Sequence, residues 1–133
     1  MRGENVVVDS AALLDLLVAT DVGLLLDMRL EGCVLHAPDH VDAEVFDGMG
    51  RLTRAGVLAP SRAFEHLQAL AAAPIERHPV HALLEQAWRR QGALSPSDAL
   101  YVELARSLGL ALITTDPRLA RASEPVAELV ARP

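Results

Sequence analysis

The stretch SPSDALYVELARSLGLALITTDPRLA (residues 95–120) decides the fold class, because it joins a well-marked helix directly to an apolar strand. Ser95 is a favoured N-cap residue, Pro96 suits the first helical position, and Gly109 suits the position after the last helical turn. The apolar residues that follow predict a strand over residues 110–116, which would end at an aspartate. This one short segment is thus predicted to contain a helix, a buried strand and the start of another helix.

The same alternation of strands and helices extends over the rest of the chain. Short apolar runs predict strands over residues 5–9, 33–38, 75–80 and 126–130. Helical spacing predicts helices over residues 10–19, 21–32, 40–55, 60–72, 81–92, 95–109 and 117–122. Alternating elements with nearly all-apolar strands are typical of a parallel sheet covered on both faces. We therefore expect a three-layer α/β/α fold with a central, mainly parallel sheet of four to five strands, and residues 1–133 as a single domain.

The charge balance restricts the classes of function. The formal net charge is −6, and all twelve basic residues are arginine, with no lysine. This balance argues against a protein that holds nucleic acid by bulk positive charge. It leaves a metal-dependent nuclease open, because metal ions can cancel carboxylates at the site. The absence of lysine also excludes chemistry that requires a lysine, such as Schiff bases and P-loop phosphate binding.

The location of the protein is expected to be cytoplasmic. No apolar run approaches the length that crosses a bilayer, and the N-terminus lacks a basic region followed by a long apolar segment. The single cysteine, Cys33, cannot form an internal disulfide, which fits a reducing compartment. We therefore expect neither a membrane span nor a signal peptide.

Several carboxylates lie where a parallel sheet binds ligands. Asp9 and Asp116 end two predicted strands, and the carboxyl ends of parallel strands share one edge. Each also fits a helix N-cap, and Asp98 is the fourth residue of a capping-box pattern. Asp42 and Glu44 flank the apolar stripe of one predicted helix, so periodicity does not choose between them. For all of these residues, capping or a solvated surface position is the simpler reading.

Carboxylates that lie close together repel each other unless a cation lies between them. Ligation by carboxylate oxygens and water suits Mg²⁺ or Mn²⁺, and Mg²⁺ binds through one or two carboxylates together with substrate phosphates. Such a site can activate water and stabilise the leaving oxygen of a phosphodiester. A cluster of these carboxylates would therefore indicate metal-dependent phosphodiester hydrolysis.

Three segments in order carry a resemblance to a known family. They are VVVDSAALLDLL, HVDAEVFDGMGRLTRAG and LSPSDALYVELARSLGLALITTDPRLA. With these segments the chain resembles PIN-domain proteins, specifically the VapC-type ribonuclease toxins of bacterial type II toxin–antitoxin pairs, over nearly its whole length. The resemblance implies a four-carboxylate Mg²⁺ or Mn²⁺ site and favours Glu44 over Asp42. The implied acidic set is Asp9, Glu44, Asp98 and Asp116.

The resemblance also implies individual roles. Asp9 and Asp98 would be direct metal ligands, and the other two carboxylates would act directly or through water. Ser10 and Thr114 occupy positions where a hydroxyl helps to order the site. The guanidinium of Arg118, two residues after Asp116, is a candidate contact for an RNA phosphate. No single residue is assigned as the general base, because a metal-bound hydroxide can do that work.

The implied function is that of a metal-dependent endoribonuclease toxin. Its expected partners are an RNA substrate, a cognate VapB-like antitoxin and a second copy of the chain in a homodimer. Apolar-rich helices over residues 15–30 and 64–72 offer surfaces for such partners. Two alternatives are a non-catalytic interaction domain of the same fold and a PIN nuclease outside toxin–antitoxin systems. A phosphoacceptor domain of the response-regulator type is disfavoured, because it needs a lysine.

The remaining polar and aromatic residues are expected to have structural roles. The five histidines show no spacing of a known metal motif, and we expect most of them on the surface or in loops. Trp88 and Tyr101 are expected to be packing residues. Tyr101 lies three residues after Asp98, so its hydroxyl could still reach the edge of the site.

Overall fold

A five-stranded parallel sheet forms the centre of the computed structural model, which describes residues 3–123 and 126–132. The strand order is β3-β2-β1-β4-β5, and every neighbouring pair is parallel. The strands are β1 (Asn5–Val8), β2 (Val34–Pro38), β3 (Ile75–His78), β4 (Leu112–Thr114) and β5 (Ala127–Leu129). The predicted mainly parallel sheet is confirmed, and the segment predicted as an edge strand is β3, at one edge.

Among the described residues, seven α-helices connect the strands. They are α1 (Ser10–Val18), α2 (Asp21–Leu30), α3 (Val41–Arg54), α4 (Pro60–Ala72), α5 (Leu84–Arg90), α6 (Pro96–Leu108) and α7 (Pro117–Ala122). The chain moves outward from β1 to β3 and then returns to β4 and β5, so right-handed crossovers place α1–α4 on one face and α5–α7 on the other. The contacts of α1 with α2, α3 and α4, and of α5 with α6, agree with this division. The predicted three-layer α/β/α architecture is confirmed.

The core lies between the sheet and these two helical layers. Val6, Val7 and Val8 of β1 are fully buried, as are Leu112 and Ile113 of β4. These two strands are buried on both faces, which explains why their sequences are continuous apolar runs rather than alternating ones. In the part of the chain that the structure describes, we find no helix with both the length and the apolar character to cross a membrane.

The prediction of a helix over residues 81–92 is wrong for the first turn of that segment. A short 3₁₀ turn, Val80–Ala82, precedes α5, which begins only at Leu84. The Val80 N–H donates to Asp39 Oδ1 at 3.1 Å, and the Leu83 N–H donates to the Val80 carbonyl at 2.8 Å. The first bond joins the turn to the β2–α3 loop. The second is the bond between residues three apart that is typical of a 3₁₀ helix. Trp88 of α5, predicted to be a packing residue, is 68% exposed.

The corner between α1 and α2 depends on a glycine. Thr20 caps α2, because its hydroxyl oxygen accepts the Gly23 N–H at 3.0 Å. A Cβ atom added at Gly23 would lie 2.0 Å from the carbonyl oxygen of Asp15, which is backbone and cannot move aside. The close approach of the two helices therefore requires glycine at this position. Asp9, a predicted site residue, is the N-cap of α1. This corner therefore also fixes the position of the helix that Asp9 caps.

We predict that Gly23→Ala lowers the free energy of unfolding by about 2–3 kcal/mol or more, as expected for overpacking against backbone. Gly50→Ala is the matched control, because that residue also lies in a helix and its Cβ would meet only the flexible Arg54 guanidinium, at 3.3 Å. Gly50→Ala should stabilise the protein by up to about 1 kcal/mol through helix propensity. Urea unfolding of both variants provides the measurement, and equal effects would contradict the close approach.

Candidate acidic site at the sheet edge

Asp9 lies buried at the carboxyl end of β1 and is the N-cap of α1. Its Oδ1 accepts the Ala12 N–H at 2.9 Å, and its Oδ2 accepts the Thr114 hydroxyl at 2.5 Å. Thr114 ends the neighbouring strand β4, so the bond joins two strand ends. The same Thr114 oxygen accepts the Asp116 N–H at 3.0 Å. One threonine therefore orders both of the aspartates that the sequence placed at this edge.

Asp116 is the N-cap of α7, as its sequence position indicated. Its Oδ1 accepts the backbone N–H groups of Arg118 at 2.9 Å and Leu119 at 3.4 Å. Its Oδ2 lies 3.3 Å from Nη2 of the Arg118 guanidinium. The helix cap thus uses Oδ1, whereas Oδ2 faces the charged guanidinium.

Asp98 lies in the first turn of α6 and approaches the same guanidinium. Its backbone N–H donates to Ser95 Oγ at 3.2 Å, which is the expected cap of that helix. Its Oδ2 lies 3.5 Å from Arg118 Nη2. Arg118 therefore bridges Asp98 and Asp116, and a positive charge lies between two of the predicted metal-site carboxylates.

Glu44 projects from α3 toward the first turn of α6. Its Oε1 accepts the Tyr101 hydroxyl at 2.5 Å, and its Oε2 accepts the Ser97 hydroxyl at 2.5 Å. The His40 ring lies one turn earlier on the same helix, with Nε2 3.6 Å from Oε1. Ser10, at the start of α1, also contributes to lowering the pKa of this carboxylate. Glu44 is therefore held between α3 and the first turn of α6.

Asp42 faces a different side of α3. Its two oxygens accept the Arg77 guanidinium at 2.7 Å and 3.0 Å in a bidentate pair, and Arg77 also donates to the Leu70 carbonyl. Helical periodicity left Asp42 and Glu44 equivalent, and the structure separates them. Only Glu44 is directed toward α6, where Asp98 lies.

Sequence reasoning identified Ser10 and Thr114 but missed two residues that bind Glu44. Ser97 and His40 were not predicted to contribute to the site. Each lies four residues from a site residue on the same helix, Ser97 before Tyr101 and His40 before Glu44. That spacing places side chains on one helix face and is the signal that could have found them. The suggestion that the Tyr101 hydroxyl reaches the edge of the site agrees with the structure.

Burial raises the pKa of Asp9 to about 6, above its usual value. The hydrogen bonds from Thr114 and Ala12 act in the opposite direction. The negative charges of Asp98 and Asp116 raise this pKa further. The three carboxylates therefore repel one another across the site, which is the condition that a bound cation relieves.

The pKa values of the remaining groups differ in direction. Burial raises the pKa of Asp98, and the charges of Asp116 and Glu44 add to this effect, while Ser95 and Arg118 oppose it. Burial also acts to raise the pKa of Glu44, but the hydrogen bonds from its hydroxyl partners outweigh it and leave the value lowered. Glu44 is consequently ionised near neutral pH.

Tyr101 acts as a fixed donor to Glu44. Burial raises the pKa of the Tyr101 phenol, and its hydrogen bond to Glu44 raises it further. The hydroxyl therefore keeps its proton and continues to donate to the carboxylate. The ring is almost fully buried, at 1% exposure, which limits the movement of the donor.

The residues at this edge suit a hard divalent cation. The donor set contains only carboxylate oxygens, which Mg²⁺ and Mn²⁺ prefer over nitrogen or sulfur. Within residues 3–123 and 126–132, no three of these carboxylates bring their oxygens within 4.8 Å of one another. Such spacing suits an ion that keeps several waters and contacts one or two carboxylates directly. The bridging Arg118 shows that the carboxylates already attract a cationic group.

Comparisons with known proteins agree with the fold and the motifs. Residues 6–125 match the family model for the PIN domain. Ribonuclease VapC3 of Mycobacterium tuberculosis is 48% identical over 120 residues, which cover 90% of this chain and 88% of that protein. Ribonuclease VapC12 of the same organism is 29% identical over 124 residues, covering 93% and 96%.

Two solved structures have a similar fold. PAE2754 from Pyrobaculum aerophilum superposes with a TM-score of 0.67 and 26% identity, covering 98% of this chain and 92% of that chain. VapBC2 from Rickettsia felis, bound to a DNA fragment from their promoter, superposes with a TM-score of 0.63. Its identity is 12%, with 94% of this chain and 98% of that chain covered, so this match concerns the fold alone.

We predict that Asp9→Asn raises the thermal stability of the protein in EDTA at pH 8, because it removes a buried negative charge and keeps an N-cap oxygen. The gain should shrink as the pH falls from about 6 toward 3.8, since Asp9 then becomes protonated in the folded protein. Thermal unfolding followed by circular dichroism at several pH values is the measurement.

Asp9→Ala is the matched control for this prediction. It also removes the charge, but it loses the bonds from Ala12 and Thr114. It should therefore be less stable than Asp9→Asn by about 1–2 kcal/mol. An Asn variant that is less stable than wild type at pH 8 would show that the buried charge of Asp9 does not destabilise the fold.

Proposed function

The chain belongs to the PIN-domain family, and on that basis we propose that it is a Mg²⁺- or Mn²⁺-dependent endoribonuclease that acts as the toxin of a type II toxin–antitoxin pair. The ribonuclease activity is supported by the similarity to VapC3, a ribonuclease that is 48% identical to this chain. The observation that carries the proposal is the convergence of Asp9, Glu44, Asp98 and Asp116 at one edge of the sheet. Their mutual repulsion and the bridging arginine favour a cation at that edge.

In the proposed site, Asp9 and Asp98 would hold the metal ion directly, and Glu44 and Asp116 would hold it directly or through water. When bound, the ion supplies charge that activates water and offsets the phosphate. Thr114 fixes the orientation of Asp9 by donating to one of its oxygens. Because these carboxylates are oriented before substrate arrives, little reorganisation accompanies the reaction.

Arg118 is proposed to exchange partners during binding. Its guanidinium lies within 3.5 Å of Asp98 and 3.3 Å of Asp116. A cation held by these carboxylates would compete with this ion pair and free the guanidinium. Arg118 is 68% exposed and can then reach an RNA phosphate, which an arginine contacts with two parallel hydrogen bonds.

The proposed antitoxin partner is VapB-like, and an apolar groove between α3 and α4 offers it a surface. The groove has a volume of about 810 Å³ and contains Phe46, Phe64 and Leu67 in its lining. Phe46 is 66% exposed and Phe64 is 62% exposed, which is unusual for such large apolar side chains. An amphipathic helix inserted into a groove is a common mode of recognition for a surface of this kind.

The proposed homodimer would use a separate surface. On α2, the side chains of Leu24 and Met28 are 59% and 74% exposed. They lie four residues apart and therefore on one face of the helix. The chain thus offers one apolar surface for each of the two proposed protein partners. Leu24, Met28 and Phe64 lie in the segments that the sequence indicated, whereas Phe46 of α3 does not.

Two alternative functions make different predictions. A non-catalytic interaction domain would use the carboxylates only as helix caps, and neutral variants would then retain every measurable property. A PIN nuclease outside toxin–antitoxin systems would cleave nucleic acid without an inhibitory partner. The Glu44 contacts favour the nuclease, because Glu44 caps no helix and yet two hydroxyl groups donate hydrogen bonds to it.

We predict that Glu44→Gln reduces Mg²⁺- or Mn²⁺-dependent cleavage of RNA by at least about 100-fold, because it removes a charge that the proposed cation requires. Asp42→Asn is the matched control, two residues away on the same helix but paired with Arg77. That variant should keep cleavage within about threefold of wild type, since its charge faces away from the site. Cleavage of total RNA, resolved by gel and end mapping, provides the measurement.

The two variants also separate the nuclease from the interaction domain. Equal activity of Glu44→Gln and wild type would contradict the four-carboxylate site. Cleavage that persists in EDTA would contradict the metal requirement. Preferential cleavage of single-stranded DNA would instead favour a nuclease outside the toxin group.

We also predict that Phe64→Ser weakens binding of the antitoxin encoded beside this gene by at least about tenfold, as expected for loss of a large aromatic anchor. Trp88→Ser is the control, because Trp88 is equally exposed but lies on α5, on the opposite helical layer. Calorimetry with the purified proteins measures both affinities. Unchanged binding by Phe64→Ser would exclude the α3–α4 groove as the antitoxin surface.

A further inference from the structure

A second group of metal-binding side chains lies away from the acidic site. His36 of β2 lies opposite Glu76 of β3 in the parallel register, and His78 is two residues further along β3 on the same face. His36 Nδ1 is 2.9 Å from His78 Nε2 and 3.6 Å from Glu76 Oε2. One ligand atom from each residue lies within 4.8 Å of the other two. His36 is buried, so it is an exception to the expectation that most of the histidines lie on the surface or in loops.

The hydrogen bond of His36 to Asn5 selects its tautomer. His36 Nε2 lies 2.8 Å from Asn5 Oδ1, and the Asn5 amide nitrogen donates to the Gly3 carbonyl at 3.2 Å. Because Oδ1 is only an acceptor, Nε2 carries the proton and Nδ1 carries the free lone pair. That lone pair points toward His78 and Glu76. A neutral imidazole oriented by a hydrogen bond from its other nitrogen is the usual state of a metal-binding histidine.

The charges around this group also suit a cation. Arg77 lies between Glu76 and His78 in sequence, but strand alternation directs its side chain to the opposite face. There its guanidinium pairs with Asp42 and donates to the Leu70 carbonyl. Among the ion pairs of the described residues, the only partner of Glu76 is His36. The carboxylate is therefore not neutralised by an arginine.

We propose that His36, Glu76 and His78 bind a transition-metal ion of the Zn²⁺ class. Two imidazole nitrogens and one carboxylate form a three-ligand set that leaves a fourth position for water. A tetrahedral ion ~2.05 Å from both nitrogens would hold them about 3.3 Å apart, only a few tenths of an ångström beyond the hydrogen-bonded separation. Glu76 is 64% exposed at its side chain, so the ion has a path from solvent.

This site differs from the acidic site in the ions that it selects. Imidazole ligands favour Zn²⁺, Ni²⁺ or Cu²⁺, whereas carboxylate and water ligands favour Mg²⁺ or Mn²⁺. The proposed ion would join β2 to β3, the edge strand, whose sheet pairing in the described part of the chain is with β2 alone. Binding should therefore stabilise this edge of the sheet without a direct effect on the carboxylates at the ends of β1 and β4.

The experiment measures Zn²⁺ binding by calorimetry on the full chain after chelation, in excess Mg²⁺, together with the thermal unfolding temperature. We expect one equivalent of Zn²⁺ to bind and to raise the unfolding temperature. His78→Ala should abolish this binding, and Glu76→Gln and Asn5→Ala should each weaken it by about 10–100-fold. His81→Ala is the matched control, because His81 is exposed just three residues after His78, and it should bind as wild type does.

Two outcomes would overturn the proposal. The first is no Zn²⁺ binding by the wild-type chain under these conditions. The second is equal binding by wild type and Glu76→Gln, which would place the ion elsewhere. Glu76 is exposed and its substitution leaves the core intact, so this variant decides the matter even if His78→Ala does not fold. The proposal is independent of the ribonuclease function, and RNA cleavage in Mg²⁺ is not its readout.

Discussion

The hydrogen bond from Thr114 to the buried carboxylate of Asp9 is the interaction on which the acidic site depends. It crosses from β4 to β1 at the point where both strands end, and it holds a buried charge at a defined position. The same threonine oxygen accepts the Asp116 N–H and starts the chain toward α7. The register between β1 and β4 therefore sets the distance between the carboxylates of Asp9 and Asp116.

The residues that cap helices at this edge of the sheet are also the residues that form the acidic site. Asp9 and Asp116 each cap a helix, and Asp98 lies in the first turn of another. Helix N-termini favour negative charge, so they partly offset the repulsion among the carboxylates. The pKa values of Asp9 and Asp98 are nevertheless raised, mainly by burial and further by the neighbouring carboxylates. A fold that retains this repulsion gives up stability that a bound cation can restore.

The features that depend on local sequence could be predicted. The apolar runs and helix caps indicated the parallel sheet, the three layers and the positions of Asp9 and Asp116, and the structure confirms that fold. The choice of Glu44 over Asp42 could not be derived from periodicity. It depends on Tyr101 and Ser97, which lie more than fifty residues further along the chain. The 3₁₀ turn before α5 likewise depends on a distant residue, Asp39.

The pairing of His36 with His78 was missed for the same reason. The two residues are 42 positions apart and meet only through the register of β2 and β3. Sequence spacing detects ligands that share a helix or a turn, and it does not detect ligands on neighbouring strands. In the sequence, Arg77 lies between Glu76 and His78, and its positive charge argues against a metal site there. In the structure, the Arg77 side chain lies on the opposite face of the sheet.

The central claim is that the edge carboxylates bind a divalent cation that RNA cleavage requires. The most direct test titrates Mn²⁺ by electron paramagnetic resonance into wild type and Asp98→Asn and measures RNA cleavage in the same samples. We expect wild type to bind Mn²⁺ and to cleave RNA in proportion to the occupancy of the site, and Asp98→Asn to lose both properties together. Cleavage by wild type without bound Mn²⁺ or Mg²⁺, or full activity in Asp98→Asn, would contradict this claim.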